Sequence, residues 1–176
     1  MLGKVPLYKL ELLVSLKRKY NLYLLSNTNS IHWNRYSGTV FSYNGLNVND
    51  IFDGVYLSYM LHSSKPDERI FKMVIEDSGI DVNETLFVDD SLKNCYTAQR
   101  LGMEVLNYIP GSDLRYYLLK NWNKYDIKSV IDFYRVSTPK SCNYSSSEEI
   151  KRRCGFTNGQ LFFQQHLAMV CIMYVD

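Results

Sequence analysis

Three polar features stand where the chain leaves an apolar run or enters a helix. Ser26 follows Leu22-Tyr23-Leu24-Leu25, Lys65 begins Lys65-Pro66-Asp67, and Asp89-Asp90 closes Thr85-Leu86-Phe87-Val88. A hydroxyl, an ammonium and a carboxylate pair are what a site for a phosphoryl group and Mg2+ needs. The hydroxyl and the ammonium can hydrogen-bond non-bridging phosphoryl oxygens and offset the charge that builds on them in the transition state. Adjacent hard carboxylates can hold Mg2+, which keeps several waters and takes only one or two protein carboxylates. Each feature alone has a plainer reading: a turn serine, a solvated helix start, a capping carboxylate. Their order on consecutive strand ends is what favours chemistry.

Those positions need elements to hold them. Leu7, Leu10, Leu13, Val14 and Leu16 are spaced mainly by threes and fours, which predicts a first helix with Pro6 in its first turn. Leu22–Leu25 reads as a strand buried on both faces of a parallel sheet. Residues 30–43 are expected to be helical, and Gly54–Ser58 a second strand. Pro66 is expected at the first position of a helix carrying Ile70, Phe71, Val74 and Ile75, closed near Gly79. Thr85–Val88 is the next strand. A helix over Leu92, Tyr96, Ala98 and Leu101 ends at Gly102, and Met103–Tyr108 is a further strand. Strand and helix alternate from residue 7 to about 110, the pattern of an α/β fold whose parallel sheet is covered by helices. In such a sheet ligands sit beyond the carboxyl ends of the strands, where the three polar features fall.

The stretches LYLLSNTNSIH and FDGVYLSYMLHSSKPDERIFKMVIEDSGIDVNETLFVDDSLKNCYTAQRLGMEVLNY carry a resemblance as well as a pattern. With SNT after one strand, KPD opening a helix and VDDS-x-x-N leading into a helix that ends Leu-Gly, the chain closely resembles the back half of a haloacid dehalogenase-like hydrolase. The resemblance is to the small-molecule phosphatase kind and runs over about residues 5 to 110. It implies a Rossmann-like three-layer fold with a parallel sheet, Mg2+ as cofactor and a small phosphorylated molecule as partner. It further implies that Ser26 binds the transferring phosphoryl group with Asn27 beside it, and that Lys65 neutralises phosphoryl and nucleophile charge. Asp89 would ligate Mg2+, Asp90 would support it, and Asn94 would orient the group from behind. The family's route is an aspartyl-phosphate intermediate, which divides one hard hydrolysis into two steps.

The family's nucleophile sits on an N-terminal strand ending in Asp-x-Asp-Gly-Thr or a close relative, and no such segment stands before residue 20. Among other aspartates only Asp132, in Lys128–Val136, has a similar look. Its use would need a circularly permuted sheet, and an ordinary amphipathic strand or loop is the plainer reading. The expectation is therefore an incomplete or diverged member, weakly active or inactive, or a non-catalytic binding module on the same fold. Residues 1–120 are expected to form the core, and 121–176 an atypical linker and helical tail. The strands bearing Ser26 and Asp89 are expected to expose edges that invite self-association.

Composition narrows the partners. Twenty basic and eighteen acidic residues among 176 leave a formal charge of +2, which gives no electrostatic case for nucleic acid or a membrane surface. The apolar run Leu167–Val175 is far shorter than the roughly 20 residues needed to cross a bilayer. Four cysteines without a C-x-x-C pair read as reduced thiols, and with no signal peptide visible the expected location is cytoplasmic. The segment around Glu148–Phe156 weakly resembles the helix-turn-helix of arabinose-regulator-type transcription factors, but packing helices are the plainer reading.

Overall fold

A computed structural model describes residues 5–121 and 170–175. The first helix, α1 (Leu7–Leu16), buries Leu10, Leu12, Leu13 and Leu16 and leads through a turn into β1 (Tyr20–Ser26). Pro6 is its N-cap, one position earlier than the sequence suggests. Helix α2 (Ser30–Val40) follows, capped by the Asn29 side chain, which accepts from the His32 amide at 2.9 Å. A short helix α3 (Val48–Ile51), closed by a capping box between Asn47 and Asp50, precedes β2 (Gly54–Leu57).

Helix α4 (Ser58–Leu61) and a turn then lead to α5 (Glu68–Ser78). Here the expected start moves by two residues. Asp67, not Pro66, makes the boundary, because its carboxylate accepts from the Arg69 amide. Gly79 closes the helix at φ +68°, a backbone region that only glycine enters freely. Strand β3 (Leu86–Asp89), helix α6 (Leu92–Arg100), strand β4 (Glu104–Asn107) and helix α7 (Leu114–Asn121) complete the alternation.

The sheet is the middle of three layers, as an α/β chain with apolar residues on both strand faces requires. Leu22 and Leu24 of β1, Leu86 and Val88 of β3 and Leu106 of β4 pack with α1, α2 and α7. Leu25 and Phe87 face the other way, against Ile70, Phe71 and Val74 of α5 and Cys95 and Ala98 of α6. The rings of Phe71 and Phe87 meet edge-on at 5.2 Å, and both are wholly buried. Asp53 sets the β1–β2 register: it accepts from the Leu22 amide at 2.8 Å while its own amide donates to the Leu22 carbonyl at 2.7 Å. At the other end of that pair the Ser58 hydroxyl holds both the amide and the carbonyl of Thr28.

One strand was not expected. β5 (Val170–Val175) comes from the stretch read as linker and helical tail, and it lies in the middle of the sheet, whose order is β2-β1-β5-β3-β4. It runs antiparallel to both neighbours, while β1–β2 and β3–β4 pair in parallel. The expected linker and helical tail therefore holds a strand at Val170–Val175 instead; residues 122–169, with Asp132 and the segment compared with a helix-turn-helix, lie outside the described residues. The physical reason is that a short apolar run carries no period that separates buried strand from buried helix.

The edges of β1 and β3 that were expected to stand open are both paired to β5. The pairing is unequal: β5 matches β1 from Tyr20 to Leu25 but β3 only at Leu86 and Phe87. Removing residues 170–176 would restore two exposed edges of apolar strand. The shortened chain is expected to self-associate with rising concentration in sedimentation velocity, and a monomer with unchanged melting would contradict this placement of β5.

Candidate functional site

The carboxyl ends of β1 and β3 point the same way, and the expected residues gather there. Ser26 is the last residue of β1 and Asp89 the last of β3; both are buried. Lys65 comes from the loop between α4 and α5, and its side chain turns inward until it is fully covered. Its ammonium donates to Asp89 Oδ2 at 2.8 Å and to the carbonyl oxygen of Leu25 at 2.9 Å. One cation thus spans the two strands that flank β5, just beyond the point where the β3–β5 ladder stops.

Asp89 is held on every side. Its Oδ1 accepts from the Ser91 amide at 2.8 Å and from Asn94 Nδ2 at 3.0 Å. Its carbonyl accepts from the Tyr108 amide at 2.9 Å and from Asn107 Nδ2 at 3.2 Å, with the Cys95 thiol a weaker donor at 3.6 Å. Asn94 thus reaches Asp89 from α6. Asn27 sits differently from a group free to meet a ligand: its Oδ1 accepts from the Lys65 amide at 2.9 Å and its Nδ2 donates to the Lys65 carbonyl at 2.8 Å. Asn107, Thr97 and the Leu25 carbonyl were not singled out from sequence. Asn107 at the end of a strand carried a signal of position; a main-chain carbonyl carries none.

The electrostatics follow from burial. Desolvation pulls the Lys65 ammonium below its ordinary range, opposed by the charge and hydrogen bond of Asp89 and by Asp90. Asp90, half-buried beside Asp89, is pushed above the usual carboxylate value, first by burial and then by its neighbour's charge. Burial pushes the Cys95 thiol up to about 11, so at neutral pH it is a thiol and a weak nucleophile. Among the described residues no group of three or more His, Cys, Asp and Glu side chains is placed to hold a metal ion. Mg2+ needs no such group, since one or two carboxylates and water satisfy it. Asp89 and Asp90 fit that requirement. The smaller part of that rise, owed to the Asp89 charge, is what a divalent cation would relieve. His32 packs against the Tyr36 ring, with centroids 4.9 Å apart.

With this geometry in place, comparison with known proteins gives a consistent result. The model of the haloacid dehalogenase-like hydrolases matches residues 13–108. A D-ribitol-5-phosphate phosphatase of Bacteroides thetaiotaomicron is 40% identical over 113 residues, which cover 64% of this chain and 55% of that protein. A HAD family enzyme from the same organism, solved with magnesium and inorganic phosphate, superposes with TM-score 0.62 at 47% identity, over 64% of this chain and 57% of that one. A protein of Porphyromonas gingivalis described as a predicted HAD-like family hydrolase superposes with TM-score 0.59 at 33% identity, over 73% and 58% of the two chains. The chain spans a little over half the length of these relatives.

Asp90 supplies a test that needs no ligand. A carboxyl group whose folded value is raised above its unfolded value of 3.8 costs stability once ionised, so the cost is full above the raised value and gone below 3.8. Asp90→Asn is expected to raise the melting temperature of metal-free protein at pH 7 by about 1–3 °C. The gain should shrink towards zero as the pH falls to about 4. A gain that grows in acid would contradict the assignment.

Proposed function

The chain belongs to the haloacid dehalogenase-like hydrolase family, and from that premise we propose that it seats the phosphoryl group of a small phosphorylated metabolite together with Mg2+. The observation that carries this reading is the Lys65 ammonium, fully buried between the Asp89 carboxylate and the Leu25 carbonyl one residue before Ser26. In it, the Ser26 hydroxyl and the Lys65 ammonium hold non-bridging phosphoryl oxygens, preorganised donors that water would otherwise have to supply at a reorganisation cost. Asp89 and Asp90 would hold the metal, and Asn94 fixes which Asp89 oxygen turns towards it. Bound there, Mg2+ would screen the phosphoryl charge from the two carboxylates. The relative solved in complex with magnesium and inorganic phosphate supports the pairing of these two ligands.

A second reading is favoured by β5. The strand between β1 and β3 brings Val170 to the rim beside Leu25 and contains no carboxylate from Val170 to Val175. The family's aspartyl-phosphate route needs a carboxylate nucleophile in reach of phosphorus and β5 offers none, so the chain as given is proposed to bind phosphate with weak turnover or none. On this reading it works as a binding module on a hydrolase fold, in the cytoplasm.

Titration calorimetry separates these possibilities. Inorganic phosphate is expected to bind in the presence of Mg2+, and Asp89→Ala is expected to remove the Mg2+ dependence. Hydrolysis of an aryl phosphate with Mg2+ should stay near background. Absence of any phosphate binding would overturn the site. Vigorous turnover abolished by Asp132→Asn would overturn the weak-turnover reading and favour a permuted enzyme.

A further inference from the structure

The Lys65 ammonium is only as well placed as the main chain it grows from. A lysine side chain has four methylenes and gives up much of its rotamer freedom when it is fixed. Residues 64–67 form a tight turn, with the Asp67 amide donating to the Ser64 carbonyl at 3.0 Å. Nothing in that turn by itself aims Lys65 at Asp89.

Two side chains from elsewhere grip it. Asn27, the residue after β1, closes a two-bond ring on the Lys65 main chain, accepting from its amide and donating to its carbonyl. An amide side chain is the group with one donor and one acceptor at this spacing; a carboxylate would lose one bond and oppose the carbonyl. Thr97, on α6, donates its hydroxyl to the Pro66 carbonyl at 2.9 Å, closer than its own helix carbonyl at Lys93, 3.3 Å away. Thr97 is buried, as is Asn94 three residues earlier on the same helix face. Asn94 holds the carboxylate of the ion pair, and Thr97 holds the main chain that carries its ammonium. One helix face therefore sets both partners.

We propose that Asn27 and Thr97 are positioning residues that grip the Lys65–Pro66 main chain and so fix where the Lys65 ammonium meets an anion. Asn27 on this assignment serves the site through Lys65 and not as a direct substrate contact. The inference rests on the reading of Lys65 as the cation that faces the phosphoryl group.

The test compares Asn27→Leu and Thr97→Val with Thr97→Ser, which keeps the hydroxyl, and with Val74→Ala, which loosens the core at a buried site away from the grip. Two quantities are read in each protein. One is the rate at which acetic anhydride labels Lys65, relative to the exposed Lys72, by peptide mass spectrometry. The other is the affinity for inorganic phosphate with Mg2+ by calorimetry. Labelling of Lys65 is expected to rise about tenfold in Asn27→Leu and Thr97→Val, and phosphate affinity to fall about fivefold to tenfold, the equivalent of one lost hydrogen bond. Thr97→Ser and Val74→Ala should stay close to wild type in both. Unchanged labelling in the first two variants overturns the proposal, and so does an equal rise in Val74→Ala. Labelling that rises while phosphate affinity holds also overturns it, because the grip then serves the ion pair and not the anion. Failure of the wild-type protein to bind phosphate overturns the reading of Lys65 beneath it; labelling then decides the grip alone.

Discussion

A cation buried to the last atom between two strand ends is the constraint on which the site depends. Removing an ammonium and a carboxylate from water costs several kcal/mol per ion, and their mutual attraction recovers this only where further hydrogen bonds complete both groups. Here they do. Lys65 reaches Asp89 and the Leu25 carbonyl, while Asp89 takes the Ser91 amide and Asn94 on its other oxygen. Such a pair is weak evidence for stability and better evidence for a use. A well-packed apolar pair would hold the strands at least as well, but would offer nothing to an anion.

The middle of the sheet explains why this pair sits where it does. β5 runs against its neighbours and matches β3 at two positions only, so the ladder has ended before β3 reaches Asp89. From there to the rim, β1 and β3 are joined through the Lys65 ammonium instead of through main-chain hydrogen bonds. The strand that closes the sheet therefore leaves the carboxyl-end rim to side chains, which is where an α/β fold puts its ligands. Cys95, Asn107 and the Tyr108 amide all converge on the Asp89 carbonyl, so the carboxylate is steadied by its main chain as well as by its own oxygens.

Much of this was legible before any coordinates. Four apolar runs and the helices between them appear within one to three residues of their expected ends, because strands buried on both faces read as unbroken apolar stretches and glycine or acidic residues mark the helix ends. Ser26, Lys65, Asp89 and Asn94 could be picked out because each stands at a strand end or in a motif. β5 could not. Its residues lie more than 140 positions from their partners on β1, and pairing over that separation leaves no local trace. Asn27 shows the opposite limit: its place beside Ser26 suggested a ligand contact, while its two hydrogen bonds go to a loop that only the folded chain brings near.

The energetic coupling between Lys65 and Asp89 tests the account most directly. Lys65→Met, Asp89→Asn and the double variant would be unfolded in urea and their losses of stability compared. Each single change should cost about 3–5 kcal/mol, since it strands the other charge in a dry interior. The double change should cost at least about 2 kcal/mol less than the sum of the two. Losses that add to within about 0.5 kcal/mol would mean the two groups do not act as a pair, and the site built on them would fall.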